Sequence, residues 1–175
     1  GFFDDEEPFF KDVEVSSSEY KEKIPSFCRD SKGRTYIFYK DNAGGGSSTS
    51  NIILKRYTSE GDEDRSFSCG TGSDRTNILV TADNKTGNVF VSYKIASPPQ
   101  IRLYLVPEEG NTLKDITPPT MTHIYAMSAY NNVISTVQWD SGSGSGSGYK
   151  IKLYKFKGEN VAISEIGEGT INETQ

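Results

Sequence analysis

A single histidine in 175 residues, His123, removes a good deal of chemistry at the outset. Hydrolytic Ser-His-Asp sets need a partnered histidine, and catalytic zinc centres commonly take more than one. His123 stands between Thr122 and Ile124 at the start of an expected strand, with no partner spacing around it. Cysteine is almost as scarce, so Cys28 and Cys69 permit one disulfide at most. No apolar run approaches the roughly 18 residues of a membrane-crossing helix, so membrane insertion is not expected. Phosphate loops are missing as well: Gly44-Gly45-Gly46 leads into neither a lysine nor a helix. Neither a metal site nor a cofactor is expected from these residues.

Positive charge in excess is also lacking. The net charge is -5, and residues 1–23 carry all of it, with 8 acidic and 3 basic side chains (3 − 8 = -5). The balanced remainder offers no basic patch to neutralise phosphates, so a nucleic-acid partner is not expected. Residues 1–23, led by Asp4-Asp5-Glu6-Glu7, read as an acidic N-terminal arm in solvent. Four adjacent carboxylates do not have the ligand spacing of a calcium loop. The first residue is Gly1 rather than Met, which suggests a processed product or an excised fragment.

Helical periodicity is almost absent, apart from one short turn around Ser17 to Lys23 that Pro25 limits. What the chain has is a three-fold internal echo. Asn51-Ile52-Ile53-Leu54-Lys55, Gln100-Ile101-Arg102-Leu103-Tyr104 and Lys150-Ile151-Lys152-Leu153-Tyr154 share one pattern, with Ile52, Ile101 and Ile151 spaced 49 and 50 residues apart. A strand-like run precedes each copy, and a glycine turn follows at Gly61, Gly110 and Gly158. Turn chemistry then divides the chain into twelve strands. They fall near 25–29, 34–41, 50–58 and 64–69, then 77–82, 87–95, 99–106 and 112–117, then 122–128, 131–139, 149–156 and 160–166. Asp30-Ser31-Lys32-Gly33, Asp83-Asn84-Lys85-Thr86-Gly87 and Asn131-Asn132 join the first two strands of successive repeats. The alternating Ser-Gly run 141–148 reads as a flexible tether in one of the longer second-to-third-strand connections.

Four short strands per fifty-residue repeat predict an all-β fold of three propeller-like blades, about 24–73, 74–120 and 121–170. Three blades cannot close a ring. A homodimer, or the remaining blades of a longer precursor, would complete six; a β-sandwich of two sheets is the alternative.

Lys23-Ile24-Pro25-Ser26-Phe27 and Asp30-Ser31-Lys32-Gly33-Arg34-Thr35-Tyr36-Ile37-Phe38 resemble the opening blade of sialidase-like (Asp-box) propellers. Asn51–Ser59 is similar to the family's strand before its Asp-box turn, with Ser59-Glu60-Gly61-Asp62 as a degenerate box. The resemblance implies a propeller relative without the family's chemistry. The family's first substrate-binding arginine is replaced by Lys23, whose ammonium has no planar fork for a carboxylate. No tyrosine–glutamate nucleophile pair can be assigned either.

The candidate binding residues are Tyr39, Tyr93 and Trp139, which end the second strand of each repeat, with the adjoining Lys40 and Lys94. Recurring around one rim, such aromatics suit a sugar or a protein anchor. The competing reading is blade-to-blade core, because they share strand parity with Ile37, Val89, Val91, Val133 and Val137. The pair Glu108-Glu109, like Glu60 and Asp62, reads as solvated turn carboxylates rather than a glycosidase pair. Cys28 and Cys69 are a possible disulfide, and Asn84 and Asn172 head possible N-glycosylation sequons, so a secreted or cell-surface location is expected. The functional expectation is a non-catalytic extracellular module that recognises a protein or carbohydrate ligand. A glycoside hydrolase fragment and a filament or coat subunit are the alternatives.

Overall fold

The structure, a computed structural model, describes residues 12–15, 23–41, 49–73, 77–119, 121–141, 147–158 and 164–170. The described residues are all-β, in antiparallel sheets, without a closed barrel or ring. The twelve strands are β1 (Lys23–Arg29), β2 (Thr35–Asp41), β3 (Thr49–Tyr57), β4 (Glu63–Ser73), β5 (Leu79–Ala82), β6 (Val89–Ile95), β7 (Gln100–Leu105), β8 (Lys114–Asp115), β9 (His123–Tyr130), β10 (Val133–Ser141), β11 (Ser147–Lys155) and β12 (Ser164–Thr170). Each expected strand has a counterpart. The last one lies four residues late, because β12 pairs with β11 from Lys155↔Ser164 onward rather than immediately after Gly158. Lys23, expected at the end of a helical turn, opens β1; the rest of that turn, and the arm outside Asp12–Val15, lie outside the described residues.

Within each repeat the four strands pair in sequence as an antiparallel meander. The first two meanders touch at one bridge, Gly72↔Ile95, so eight strands form one continuous sheet. Glycine is needed at 72, since a Cβ there would lie 2.7 Å from the Ile52 side chain. The three meanders otherwise stack face to face. Each has a leading face, toward the next repeat, and a trailing face, toward the preceding one. The leading face of the first, with Tyr36, Phe38, Ile52, Leu54 and Phe67, packs on the trailing face of the second, with Val80, Val89, Val91 and Tyr93. The second in turn packs Phe90, Leu103 and Leu105 on Ile134, Tyr154 and Phe156 of the third. The first strands lie in a row, β1 against β5 and β5 against β9.

The described core lies in two clusters, one at each junction. The packing residues are aromatic or branched, and each fully buried one stabilises by about 1.5–3 kcal/mol. Arg65 of β4 bolts the first junction from outside. Its guanidinium lies 4.5 Å from the Phe67 ring centroid and donates to the carbonyls of Pro107, Glu108 and Gly110.

The first-to-second-strand turns explain how the repeats are indexed. Gly33, Gly87 and Asn132 all adopt positive φ, at 77°, 84° and 64°, and each stands two residues before a strand position on the trailing face. Asp30 closes the first turn, accepting from Lys32 N at 2.9 Å, Arg34 N at 3.0 Å and Arg34 Nε at 2.7 Å. Asp83 closes the second turn and does more. Its Oδ1 accepts from Lys85 N, Thr86 N and Asn131 N at 3.0, 3.2 and 3.0 Å, and its Oδ2 accepts from Asn132 N at 2.7 Å. One fully buried carboxylate thereby ties the turn of the second repeat to the turn of the third.

Burial alone would raise the Asp83 carboxyl. The donors from Asn132, Thr86 and Asn131 outweigh it and hold the group below its ordinary range. A carboxyl lowered on folding stabilises above the unfolded value of about 4, and that contribution is lost as pH falls through the folded value. Asp83→Asn is expected to cost about 2–4 kcal/mol at pH 7 by urea denaturation, since amide hydrogens would face backbone N–H donors. It should also flatten the loss of Tm that the unmodified chain shows below pH 4. An unchanged acid limb in Asp83→Asn would count against this assignment.

Candidate functional site

Strand parity decides which aromatics are available. Tyr39 and Tyr93 are buried core residues, at 4% and 3% exposure, so they form no rim. Tyr93 stacks on Tyr104 at 5.3 Å and donates its hydroxyl to Cys69 O at 2.7 Å. Lys40 is buried on the leading face of its sheet, and Lys94 is half-buried on the same face of the next. Trp139, by contrast, is 37% exposed. The expectation that Tyr39, Tyr93 and Trp139 occupy equivalent places is therefore corrected. Counted from the positive-φ turn residues, Gln138 is the counterpart of Tyr39 and Tyr93, while Trp139 corresponds to Lys40 and Lys94. A shift of one residue moves a side chain to the opposite face.

Gln138 shows why the third repeat has this register. Fully buried, it donates Nε2 to Thr136 Oγ1 at 2.7 Å and to Tyr154 Oη at 2.9 Å. Its Oε1 accepts from Thr122 N at 2.8 Å. Thr136 in turn donates to Lys152 O at 3.0 Å. This closed polar network turns one side of β10 inward, and Trp139 must then point the other way.

The leading face of the third meander is consequently a connected aromatic surface. Trp139 faces His123 on β9 and Tyr149 on β11 in the strand register. A bulge in β9 sets Ile124 and Ala126 opposite Gln138 and Val137, leaving Tyr125 as the extra residue beside His123. The rings form a chain: His123 to Tyr125 at 4.8 Å, Tyr125 to Tyr149 at 5.3 Å, and Tyr149 to Trp139 at 5.1 Å, the last two edge to face. Val137, Ile151 and Leu153 continue the surface, with Ile151 41% exposed. Burial, with the Lys94 charge second, holds the His123 imidazole below its ordinary value, so it joins the cluster as a neutral ring near pH 7. Tyr125, Tyr149, Ile151 and His123 were not expected as site residues. The two-residue Asn131-Asn132 turn was the available signal, because counting from it sets the parity of β10.

The remaining candidates fall elsewhere. Asn84 is exposed at the tip of the β5–β6 turn; Asn172 lies outside the described residues, as does Ser-Gly stretch 142–146, whose flanks pair as Ser141↔Ser147. Among the described residues no three His, Cys, Asp or Glu side chains gather as a metal site, and no helix is long and apolar enough to cross a membrane. The possible Cys28–Cys69 disulfide is not formed: both are free thiols, on β1 and β4, with β2 and β3 between them. Burial pushes each thiol up to about 12, with Asp30 adding to the effect at Cys28. At pH 8 both should resist Ellman's reagent in the folded protein, then react as two equivalents in denaturant without reductant. Zero equivalents would require a bridge. Compared with protein-family models, with curated proteins and with solved structures, the chain finds no match in any of the three.

Proposed function

We propose that this chain is a non-catalytic binding and scaffolding module of propeller-like repeats, which engages a partner β-sheet through the leading face of its third meander. The observation that carries this reading is a comparison of equivalent faces. The leading faces of the first two meanders are buried by the sheet that follows, whereas the third presents Trp139, Tyr125 and Ile151 to solvent. A contiguous apolar surface of this kind marks an interaction site. The row of first strands and the repeated leading-on-trailing packing support a blade-like arrangement. The resemblance of residues 23–38 to sialidase-like propellers points the same way, and the exposed Asn84 sequon suits a secreted or cell-surface protein.

A carbohydrate ligand is the second reading, favoured by the concentration of Trp139, Tyr149 and Tyr125 at one end of the face. Sugar C–H groups pack on such rings, but the two edge-to-face contacts leave no broad flat platform. The hydrolase alternative has less support. Glu108 and Glu109 are exposed beside the Gly110 turn, as solvated turn carboxylates would be.

Trp139→Asp should separate these readings. Sheet docking predicts association at least about 30-fold weaker, as expected for losing an interface anchor worth about 2 kcal/mol, with Tm nearly unchanged. Sedimentation equilibrium checks this. Glycan-array signal that disappears in Trp139→Asp without any change in sedimentation would favour the carbohydrate reading instead.

A further inference from the structure

The large apolar side chains that reach solvent are not scattered. Among the described residues, those more than one-third exposed are Val13, Phe27, Tyr125, Tyr130, Trp139 and Ile151. Tyr125, Tyr130, Trp139 and Ile151 belong to the leading face of the third meander, as their pairing with Val133, Val137 and one another shows. Phe27 pairs with Ile37, which places it on the trailing face of the first meander, where it is 73% exposed. Val13 lies over that same face. Among the described residues the exposed large apolar side chains therefore lie at the two ends of the stack.

On the trailing end Phe27 is open to solvent, whereas Tyr39 and Tyr57 of the same face are covered. Asp12–Val15 forms a strap across this end, held by the hydrogen bond that Lys55 Nζ donates to Val15 O at 2.9 Å. Between Val13 and Val15 on the strap and Thr35, Ile37 and Tyr57 on the sheet lies an open groove of about 300 Å³, which Tyr57 helps to line. Tyr57 is 5% exposed and has a buried hydroxyl without a hydrogen-bond partner. Buried hydroxyls are nearly always partnered, so the Tyr57 hydroxyl marks an unfinished contact on this face.

We infer that the partner sheet is a second copy of this chain. Its third leading face docks on the first trailing face of its neighbour, displacing the strap, and the reciprocal contact closes a two-copy ring. This rests on the reading of the third leading face as a docking surface, and adds the complementary surface and the identity of the occupant. Both junctions inside the chain already follow the leading-on-trailing rule. The two end faces are the only members of each class that no neighbouring meander covers among the described residues. Three meanders per copy then give six, within the range of closed propellers. Because each copy contributes one face of each kind, a two-fold axis satisfies both contacts at once.

Complementation tests this with the full-length chain. Trp139→Asp disables one end face and Phe27→Asp the other, and both positions are exposed enough to leave folding intact, which circular dichroism and Tm would verify. By sedimentation equilibrium the unmodified chain should reach twice its 19.3 kDa mass. Each variant alone should stay monomeric, and an equimolar mixture should recover heterodimers, since one intact junction remains. Two further variants, Tyr125→Asp and Ile37→Lys, repeat the design should either first variant fail to fold. If Phe27→Asp dimerises like the unmodified chain while Trp139→Asp does not, the leading face binds but the second-copy ring is overturned. A chain that stays monomeric up to about 1 mM, a mixture without heterodimers, or species that grow beyond two copies would each overturn the ring as well.

Discussion

The Asp83 carboxylate is the interaction on which the arrangement of the later repeats depends. A buried charge is costly unless it is fully hydrogen-bonded, and here four backbone N–H groups supply the compensation. Two of those donors come from its own turn and two from the Asn131-Asn132 turn 48 and 49 residues away. Asn131 and Asn132 must both adopt positive φ to aim their N–H groups at one carboxylate, a backbone state that asparagine tolerates better than most residues. The turn is thus shaped as much by its neighbour as by its own hairpin. Asp30 has the corresponding place in the first repeat but spends its second oxygen on Arg34, so the first junction relies on side-chain packing, the Arg65 clasp and the bridge at Gly72.

From that pin the rest of the geometry follows in order. Fixing the turn fixes which residues of β10 face the second meander, and Gln138 then closes its network with Thr122, Thr136 and Tyr154. Polar groups on the inward side leave the apolar ones, Val133, Val137 and Trp139, on the outward side. The third sheet is unusual for this reason: both of its faces carry substantial side chains, but among the described residues only one has a sheet against it. In a solitary sheet the outward face would be expected to alternate to polar residues. Its aromatic character is what the proposed docking role rests on.

Much of the architecture was legible from periodicity. Short strands bounded by Asp-x-x-Gly and Asn-Asn turns have few other ways to fold, and all twelve were placed, including the two-residue β8. The stacking of consecutive meanders also follows from the fifty-residue echo. Parity was harder, because Tyr39, Tyr93 and Trp139 look equivalent by residue type yet Trp139 is displaced by one relative to the turn. Similarity of side chains is a weaker guide to register than the φ requirement of the turn that precedes the strand, since a strand can exchange one aromatic for a buried glutamine if its hydrogen bonds are met. The tertiary contacts of Asp83 could not have been read at all. Nothing local distinguishes it from Asp30, and its second pair of donors lies almost a full repeat away.

The distribution of charge completes the argument. All of the net charge resides in residues 1–23, while the repeat region is balanced. The strap residues Asp12 and Glu14 interleave with Val13 and Val15, which gives the strap one side suited to the sheet and one suited to water. Such a segment can lie on an apolar face, yet its four described residues bury less area than a four-stranded sheet would. In a chain of stacked repeats, where each unit is stable only against its neighbours, the weakest contact should be the one that separates first. Among the described residues the strap is tied to the sheet by one side-chain hydrogen bond, from Lys55 to Val15 O, so a sheet docking on that face would have little to displace there.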